Sequence, residues 1–319
     1  MWPDQRRPWY GSFVFSQAES LRAAGVELDV VYIPGYLGKG EYLRGAAAVR
    51  RAVTRGRYDV VHAHYGHSGV IGRLQAGAPL IISYCGDDLL GTPRSDRSGR
   101  FDRSSLLLAR GFAQLARTAA ATITKSEAMA SRLPRRCRTR NHVIPNGVDL
   151  TTFAPIGVGE ARRRLDWSAD RPNVLFVGNP DIPRKNLPLA EAVCAELAGR
   201  GRPVELRVAW GIAPGEVPVW MNAADVLLFP SLSEGSPNTV KEAMAVELPI
   251  VTAPVGDAPE RLEGVPGTFV VDHNVQAMAD AVIAALAAGR APAAREAVKH
   301  LSIEHVAQRV ISVYRGTIG

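Results

Sequence analysis

The chain has 319 residues, of which 46% are hydrophobic and 22% charged, a composition typical of a globular protein, and its length suits two domains of ~150 residues each. The net charge of +7 favours anionic ligands, and the lack of any run of 18 or more apolar residues predicts no membrane-spanning helix. The polar, proline-interrupted start has no signal-peptide core, and three scattered cysteines (Cys85, Cys137 and Cys194) favour a reduced, cytosolic setting.

The first half of the chain alternates short β-branched runs with Ala- and Leu-rich helical runs. This alternation is typical of a parallel sheet covered by helices on both faces. The predicted elements are helix Phe13–Ala24, strand Glu27–Ile33, helix Glu41–Arg55, strand Val60–His64, helix Gly69–Ala76, strand Leu80–Tyr84, helix Leu106–Arg117, strand Ala121–Thr124, helix Glu127–Leu133 and strand His142–Pro145.

The beginning of this half is unusual. A doubly wound α/β domain normally opens with a buried strand, whereas the first apolar run here, after Tyr10-Gly11, already has a helical pattern. We therefore expect the N-terminal domain to lack its first strand, either because the domain is built without it or because the start site is misassigned.

The second half repeats the alternation after a turn at Asn146-Gly147-Val148-Asp149 and a weakly patterned stretch to about Pro172. We place a domain boundary near Thr151–Gly159 and expect a second doubly wound domain, with its ligand at the carboxyl ends of the strands. The predicted elements are strand Asn173–Val177, helix Leu187–Arg200, strand Val204–Trp210, helix Val219–Ala224, strand Val226–Pro230, helix Pro237–Val246, strand Ile250–Ala253, helix Ala258–Leu262, strand Thr268–Val271, helix Val275–Ala288, helix Ala293–His300 and helix Ile303–Arg315.

The loop after strand Val226–Pro230 carries the most specific chemical signal. It holds Glu234 and Gly235, and the following helix, with Ser236 as its expected N-cap, contains Glu242. Free amides at a helix start suit a diphosphate, and a carboxylate can accept both hydroxyls of a ribose. The spacing alone is weak, because a capped helix with two solvated glutamates would look the same.

The stretch Met221–Glu260 around this loop closely resembles the C-terminal signature of the family 4 retaining glycosyltransferases, whose E-x7-E pattern maps onto Glu234 and Glu242. That family has the GT-B fold, an α/β architecture in which two Rossmann-like doubly wound domains face a cleft. The resemblance implies that Glu234 contacts the donor sugar and Glu242 the nucleoside ribose. The residues expected beside them at the donor are Gly235, Ser236 and Asn238.

The resemblance extends along nearly the whole chain. Val143–Asp149 is similar to the turn that closes the family's N-terminal domain, so Asn146 is expected to face the donor, and the final helix is similar to the one that returns to that domain. The implied organisation is an acceptor-side domain at residues 1–155, a nucleotide-sugar domain at 156–302 and a returning helix at 303–319.

Leu175–Asn186 resembles the loop that holds the donor diphosphate, which implies roles there for Gly178, Arg184 and Lys185. A fixed cation at this position would stabilise the charge that grows on the leaving diphosphate. Lys185 is one of five lysines in an arginine-dominated chain, although a surface lysine before a helix stays the plain alternative. The family usually has arginine directly after the glycine; because Asn179 stands there, Arg184 is expected to supply the missing cation.

In the first half, Cys85-Gly86-Asp87-Asp88 follows strand Leu80–Tyr84. The family often has histidine where Cys85 stands, and Asp88 aligns best with the aspartate that follows the glycine. Either Asp87 or Asp88 could hold an acceptor hydroxyl, and the alignment favours Asp88. Asp87-Asp88 is not a D-x-D metal motif, and Cys85 has no base placed beside it that would make it a nucleophile.

Two further candidates belong to this half. His62 and His64 share one face of a strand, and His64 either lines the cleft or is a satisfied histidine at a strand end. Zinc would need more ligands with recognisable spacing, so we expect no metal site. Pro8–Ser12 resembles the family's glycine loop, in which Gly11 would allow close approach of the donor phosphate.

Basic residues cluster at Arg94–Arg103 and Arg132–Arg140. Such clusters attract nucleotides, lipid headgroups or nucleic acid, but an arginine-rich solvated surface explains them equally well. No RNP signature, zinc finger or helix-turn-helix pattern is visible, so we expect no nucleic-acid partner. Docking on an anionic membrane would place a cytoplasmic enzyme at the inner face of the membrane.

These features predict a retaining, metal-independent hexosyltransferase that moves a sugar from a nucleoside-diphosphate sugar to a glycan, lipid-linked or small-molecule acceptor. The nucleotide sugar is its substrate, and no cofactor is expected. The expected catalytic residues are Glu234, Lys185, Asp88 and His64. Two alternatives stay open: another GT-B enzyme, such as an epimerase or phosphorylase, and a non-catalytic nucleotide-sugar-binding partner protein.

Overall fold

The computed structural model describes residues 2–3, 10–94, 100–168 and 170–319. The chain forms two compact units: unit 1 comprises Met1–Thr92, Phe101–Gly147 and Ile303–Gly319, and unit 2 comprises Pro93–Arg100 and Val148–Ser302. Pro8 and Trp9 of the expected glycine loop, and residues 95–99 of the first basic cluster, lie outside the described residues.

Unit 1 is built on a four-stranded parallel sheet in the order β1-β2-β3-β4. Its strands are β1 (Val61–His64), β2 (Leu80–Ser83), β3 (Ala121–Thr124) and β4 (Asn141–Val143), and its helices are α1 (Ser12–Ala23), α2 (Gly40–Arg55), α3 (Gly66–Gly72), α4 (Asp87–Leu90), α5 (Arg103–Leu115), α6 (Glu127–Ala130) and α14 (Ile303–Ile318). The central strands β2 and β3 are buried along their whole length, as their apolar, β-branched sequences predict.

The predicted strand at Glu27–Ile33 is wrong, because residues 26–34 form no strand and Val30 and Val31 are exposed. A doubly wound sheet has its first strand in the interior, whereas the four strands described in unit 1 follow one another in chain order, with β1 at an edge. The described sheet therefore lacks the opening strand, as expected from the sequence. A strand forms only where its backbone hydrogen bonds pair with a neighbouring strand, and residues 27–33 pair with no strand of the described sheet.

Unit 2 is a doubly wound parallel sheet in the order β6-β5-β7-β8-β9. Its strands are β5 (Asn173–Val177), β6 (Glu205–Ala209), β7 (Val226–Phe229), β8 (Ile250–Thr252) and β9 (Thr268–Val270), and its helices are α7 (Val158–Leu165), α8 (Leu187–Gly199), α9 (Val217–Ala223), α10 (Asn238–Ala245), α11 (Ala258–Leu262), α12 (Val275–Ala288) and α13 (Pro292–Val298). The strand order reverses between β5 and β7, which pair directly. In open α/β sheets ligands bind at this switch point, beyond the carboxyl ends of the strands.

The other predicted strands are confirmed to within two residues at either end. Helix α7 was not predicted, because its sequence is rich in arginine. Tertiary contacts hold it in place: Ala161 is fully buried, and Arg162 donates to the carbonyl of Ala223 at 3.0 Å and pairs with Asp225 at 2.5 Å.

Among the described helices, none is long and apolar enough by itself to cross a membrane. Only the pair Val275–Ala288 and Pro292–Leu301 reaches that length and apolarity, and it does so across a bend of 101°.

Candidate active site

The carboxyl end of β5 is followed by a loop that carries two cations. The chain turns at Gly178, whose φ of 141° suits glycine, and a 3-10 helix at Pro183–Lys185 leads into α8. A Cβ on Gly178 would lie 3.3 Å from Cδ of Lys185, so the glycine leaves room for the lysine stem. Asn186, in the left-handed conformation, anchors the end of the loop by donating to the carbonyl of Pro230 at 3.2 Å.

The loop after β7 places Glu234 between these two cations. One carboxylate oxygen, Oε1, lies 2.8 Å from Nζ of Lys185, and the other, Oε2, lies 2.7 Å from Nη1 of Arg184. Arg184 also ties the two loops together, since it donates to the carbonyl of Ser233 at 3.0 Å and its own carbonyl accepts from the amide of Leu232 at 2.8 Å. The predicted site residues of the two loops therefore meet in one cluster.

The electrostatics of this cluster favour an anionic ligand. Burial would raise the pKa of Glu234, but the charges of Lys185 and Arg184 outweigh it and hold this pKa below its ordinary value. Glu234 is therefore ionised, and the three side chains together carry one net positive charge. Lys185 is further held over the ring of Phe229, 5.2 Å from its centroid.

Glu242 lies within α10 in a different environment. Burial raises its pKa to about 7, even though the charges of Lys241 and Lys185 act in the opposite direction. Near neutral pH this carboxyl is consequently divided between its protonated and ionised forms. The two glutamates of the E-x7-E pattern thus differ in charge state, because one has two close cationic partners and the other does not.

The start of α10 is organised differently from the prediction. The helix begins at Asn238, with Pro237 at the N-cap and no side-chain cap, so the expectation of Ser236 as N-cap is wrong. The hydroxyl of Ser236 instead donates to Asp257 at 3.0 Å and accepts from Nζ of the buried Lys241 at 3.1 Å. Ser236 therefore fixes the loop against α11 rather than capping α10.

Two glycine-containing loops touch at this point. Gly256 has a φ of 59°, and a Cβ built on it would lie only 2.9 Å from the carbonyl oxygen of Gly235. Only glycine lets these two backbone segments approach so closely without displacement. Arg261 donates to Asp257 at 2.9 Å, which extends the same network into α11.

In unit 1, the predicted Asp88 is 2% exposed and its carboxylate is engaged by the backbone. It accepts hydrogen bonds from the amides of Gly66 at 3.0 Å, Cys85 at 2.9 Å and Gly86 at 2.9 Å. Burial raises the pKa of Asp88 to about 6, although these amides lower it. The geometry favours a role in holding the loop between β2 and α4 over direct contact with an acceptor.

The remaining predicted residues of unit 1 occupy three places. His64 ends β1 beside His62, with 4.4 Å between ring centroids. Gly11 is the N-cap of α1, with φ of 74°. Asn146 follows β4, and its neighbour Gly147 comes so close to α14 that a Cβ would lie 2.7 Å from Cα of Ile303.

Comparison with known proteins gives the family. A model described as Glycosyltransferase Family 4 matches residues 11–152, and one described as Glycosyl transferases group 1 matches residues 171–288. The D-inositol 3-phosphate glycosyltransferase of Xylanimonas cellulosilytica is 30% identical over 333 residues, covering 90% of this chain and 78% of the relative. The chain belongs to glycosyltransferase family 4. The enzyme of the same name from Mycobacterium leprae is also 30% identical, over 86% of this chain and 73% of its own length.

Solved structures agree on the fold of this glycosyltransferase. Sucrose-phosphate synthase from Thermosynechococcus elongatus superposes with a TM-score of 0.77 at 20% identity, over 96% of this chain and 92% of the other. Anabaena HepE in complex with UDP and glucose superposes with a TM-score of 0.65 at 18% identity, over 90% and 84% of the two chains. The predicted GT-B fold is confirmed, and the chain is a nucleotide-sugar-dependent glycosyltransferase.

The structure of the glycosyltransferase also reveals polar residues near the site that the sequence did not single out. Lys241 and Asp257 form the network beneath Ser236 in unit 2, and Lys125 is buried in unit 1. A usable signal was present, since lysine is rare in this chain and Lys125 directly follows the buried strand β3. Among the described residues, no group of three or more His, Cys, Asp and Glu side chains is arranged to hold a metal ion.

Proposed function

We propose that this glycosyltransferase moves a sugar from a nucleoside-diphosphate sugar to a hydroxyl group of a small polar acceptor, with retention of anomeric configuration and without a metal ion. The observation that carries this proposal is the pairing of Arg184 and Lys185 with one carboxylate, Glu234, at the switch point of unit 2. Retention is implied by the family resemblance of the E-x7-E stretch.

Arg184 and Lys185 would bind the diphosphate. The three-residue cluster carries a net positive charge and is held in place by Phe229 and by backbone contacts, so little reorganisation is needed when negative charge arrives. As the bond between the anomeric carbon and the diphosphate breaks, charge grows on the leaving oxygen, and fixed cations stabilise that state more than the ground state. Two side-chain cations provide this stabilisation without a metal ion.

Glu234 and Glu242 would recognise the two halves of the donor. Glu234 is ionised and lies beside the cations, which suits hydrogen bonds from sugar hydroxyls. Glu242 lies eight residues further, inside α10, where a ribose diol could donate two hydrogen bonds to it. Because such bonds favour the ionised form, donor binding should lower the pKa of Glu242 from its value of about 7.

Neither glutamate suits the role of general base in this arrangement. Glu234 forms ion pairs with Arg184 and Lys185, and we assign Glu242 to the ribose. We therefore propose that the acceptor oxygen attacks the anomeric carbon from the face that the diphosphate leaves. A diphosphate oxygen takes the proton of the acceptor hydroxyl, so that nucleoside diphosphate and the new glycoside are the two products.

The acceptor is proposed to be a small polyol or a related glycan. The relatives from Xylanimonas cellulosilytica and Mycobacterium leprae are named for D-inositol 3-phosphate. The Asp88 loop and His64 in unit 1 are the residues we assign to the acceptor side. Because the carboxylate of Asp88 is occupied by backbone amides, its contribution would be to position the loop.

We propose a cytoplasmic location with peripheral docking on an anionic membrane. Arg132, Arg135 and Arg136 of the second basic cluster are exposed. Arg138 lines a nearby cavity of about 700 Å³ together with Arg309, which suits a phosphate headgroup.

Flotation with vesicles containing phosphatidylglycerol at low salt should recover the protein, and recovery should fall at high salt. Equal recovery with neutral phosphatidylcholine vesicles would remove this part of the proposal.

The function itself is tested by a thermal-shift panel of UDP-, GDP- and ADP-sugars on the wild type and on Glu242→Ala. One donor class should raise the unfolding temperature of the wild type, and the variant should lose that increase. Absence of a shift with every donor would favour a non-catalytic relative. Nucleoside diphosphate release that requires an acceptor separates a transferase from an epimerase, and the anomeric configuration of the product, determined by NMR with and without EDTA, tests retention and metal independence.

A further inference from the structure

The carboxyl end of the unit 1 sheet carries a polar cluster on one face. In the parallel register His64 lies opposite Ser83, and Ser83 lies opposite Ile123. Since side chains alternate along a strand, His62, His64 and Ser83 share a face, and Lys125, two residues beyond Ile123, continues it. Burial lowers the pKa of both His62 and His64, and the charge of Lys125 contributes in the same direction at both rings, which agrees with its position beside them.

His62 is the fixed member of this cluster. Its Nδ1 lies 2.7 Å from the hydroxyl of Tyr314 in α14, and its Nε2 lies 2.7 Å from the hydroxyl of Ser83. Burial, with a smaller contribution from Lys125, lowers its pKa to about 3, so the ring is neutral. With both nitrogens bonded, His62 serves to support the adjacent ring of His64.

Lys125 is the unusual member, because it is a lysine buried in the interior of unit 1. Its side chain is among the largest fully buried ones, at 2% exposure, and no ion pair between described residues involves it. Burial lowers its pKa, although the nearby Cys85 and Asp88 raise it. Cys85 supplies little charge, since burial raises its own pKa to about 12. The carboxylate of Asp88 is the nearby negative charge, and its oxygens accept hydrogen bonds from three backbone amides, so they are not free to bond to Lys125 as well as a dedicated ion-pair partner would.

His64 is a side chain of this cluster with an unsatisfied polar group. Its Nδ1 is buried and has no hydrogen-bond partner among the described residues. Buried polar groups are normally paired, and an isolated buried charge is costly. A negatively charged group with several acceptor oxygens would satisfy both side chains at once.

We propose that Lys125 and His64 form a subsite that binds a phosphate ester carried by the acceptor. Lys125 provides the charge and His64 a hydrogen bond from Nδ1, while His62, held by Ser83 and Tyr314, positions the His64 ring. This assignment rests on the proposed function in that the phosphate belongs to the acceptor; the phosphate site itself does not depend on catalysis.

The test compares Lys125→Met with Lys39→Met, an exposed lysine of unit 1, in the full chain. The probes are inorganic phosphate, D-inositol 3-phosphate and unphosphorylated inositol, with binding measured by calorimetry. The wild type should prefer the phosphorylated inositol, and Lys125→Met should reduce that preference by about 10- to 100-fold, the worth of one charge-assisted hydrogen bond. Lys39→Met should retain it.

Several results would overturn the assignment. A wild type without phosphate binding, or a preference that survives Lys125→Met, removes the subsite. A loss of UDP affinity in Lys125→Met would show that Lys125 binds the donor rather than the phosphate of the acceptor. Folding is monitored by thermal unfolding, which replacing a buried charge by an apolar side chain of similar length should not impair. Since binding is measured without a donor, failure of sugar transfer would leave the result on the phosphate site intact.

Discussion

The Nζ atom of Lys185 lies 2.8 Å from Oε1 of Glu234, although the two residues are 49 positions apart in the chain. They follow the paired strands β5 and β7, and Arg184 holds the other oxygen of the same carboxylate at 2.7 Å. The pair joins the residue assigned to the leaving diphosphate with the residue assigned to the donor sugar. A substitution of either residue is therefore expected to affect the interactions of the other one with the donor.

Replacing Lys185 by methionine should reduce kcat by about 100- to 1000-fold, the cost of removing one preorganised charge-stabilising group. Lys299→Met is the matched control, because Lys299 is an exposed cation of unit 2. Steady-state kinetics on both variants measures the effect. A Lys185→Met enzyme with unchanged kcat and a raised KM would instead indicate that the lysine only binds the donor.

Replacing Glu234 by glutamine should destabilise the protein by roughly 2–3 kcal/mol near neutral pH, because Arg184 and Lys185 are left side by side without their counter-charge. The folded-state pKa of Glu234 is lowered, so its stabilising contribution is present above the unfolded-state value and disappears as the pH falls through the folded-state value. Thermal unfolding as a function of pH should show the difference between variant and wild type closing in acid. Glu296→Gln, at an exposed position, is the control variant for the same measurement.

Replacing Glu242 by glutamine should have the opposite effect on stability from replacing Glu234. Burial raises the pKa of Glu242 from 4.5 to about 7, so the folded state binds a proton that the unfolded state releases, and stability falls as the pH rises through this range. Above it the variant should exceed the wild type by at most roughly 3 kcal/mol. Unfolding temperatures between about pH 5 and pH 8.5 measure the change; a gain of equal size in the exposed Glu260→Gln would contradict the assignment.

Replacing Gly256 by alanine tests the contact between the two glycine loops. Gly256 and Gly264 both have positive φ, 59° and 71°, so alanine at either should cost roughly 1–2 kcal/mol. Only at Gly256 does the new Cβ meet a backbone atom, the Gly235 oxygen at 2.9 Å, whereas nothing lies within 4 Å at Gly264. Gly256→Ala should therefore weaken donor binding, as measured by calorimetry with the donor selected in the thermal-shift panel. Gly264→Ala should bind it normally.

Replacing Asp88 by asparagine distinguishes a loop-holding role from direct acceptor contact. Asparagine has one acceptor oxygen where the carboxylate has two, and its NH2 group would face a backbone N–H donor. Thermal unfolding should show a loss of roughly 1–3 kcal/mol, which the exposed Asp59→Asn should not share. Unchanged stability with a raised KM for the acceptor would restore the acceptor-binding role.

Much of the fold was readable from local sequence. The apolar, β-branched runs of β2, β3, β5 and β7 predicted buried parallel strands, because burial on both faces requires such side chains. The same reading failed at Glu27–Ile33, since strand formation depends on a partner edge that a short sequence does not reveal. It also failed at the N-cap of α10, where Ser236 bonds to Asp257 from a distant loop.

The sequence by itself determined the family, the GT-B fold and the stretch that contains Glu234 and Glu242, because these follow from local residue types in a fixed order. Only the tertiary structure decided that Glu234 is shared by Arg184 and Lys185, that burial raises the pKa of Glu242 to about 7, and that Lys125 is buried and forms no ion pair with another described residue. The physical reason is that charge state depends on burial and on neighbours brought together from separate strands. The type of a residue defines the charge that its side chain can carry. Its three-dimensional surroundings determine whether the side chain is ionised and whether an opposite charge lies nearby.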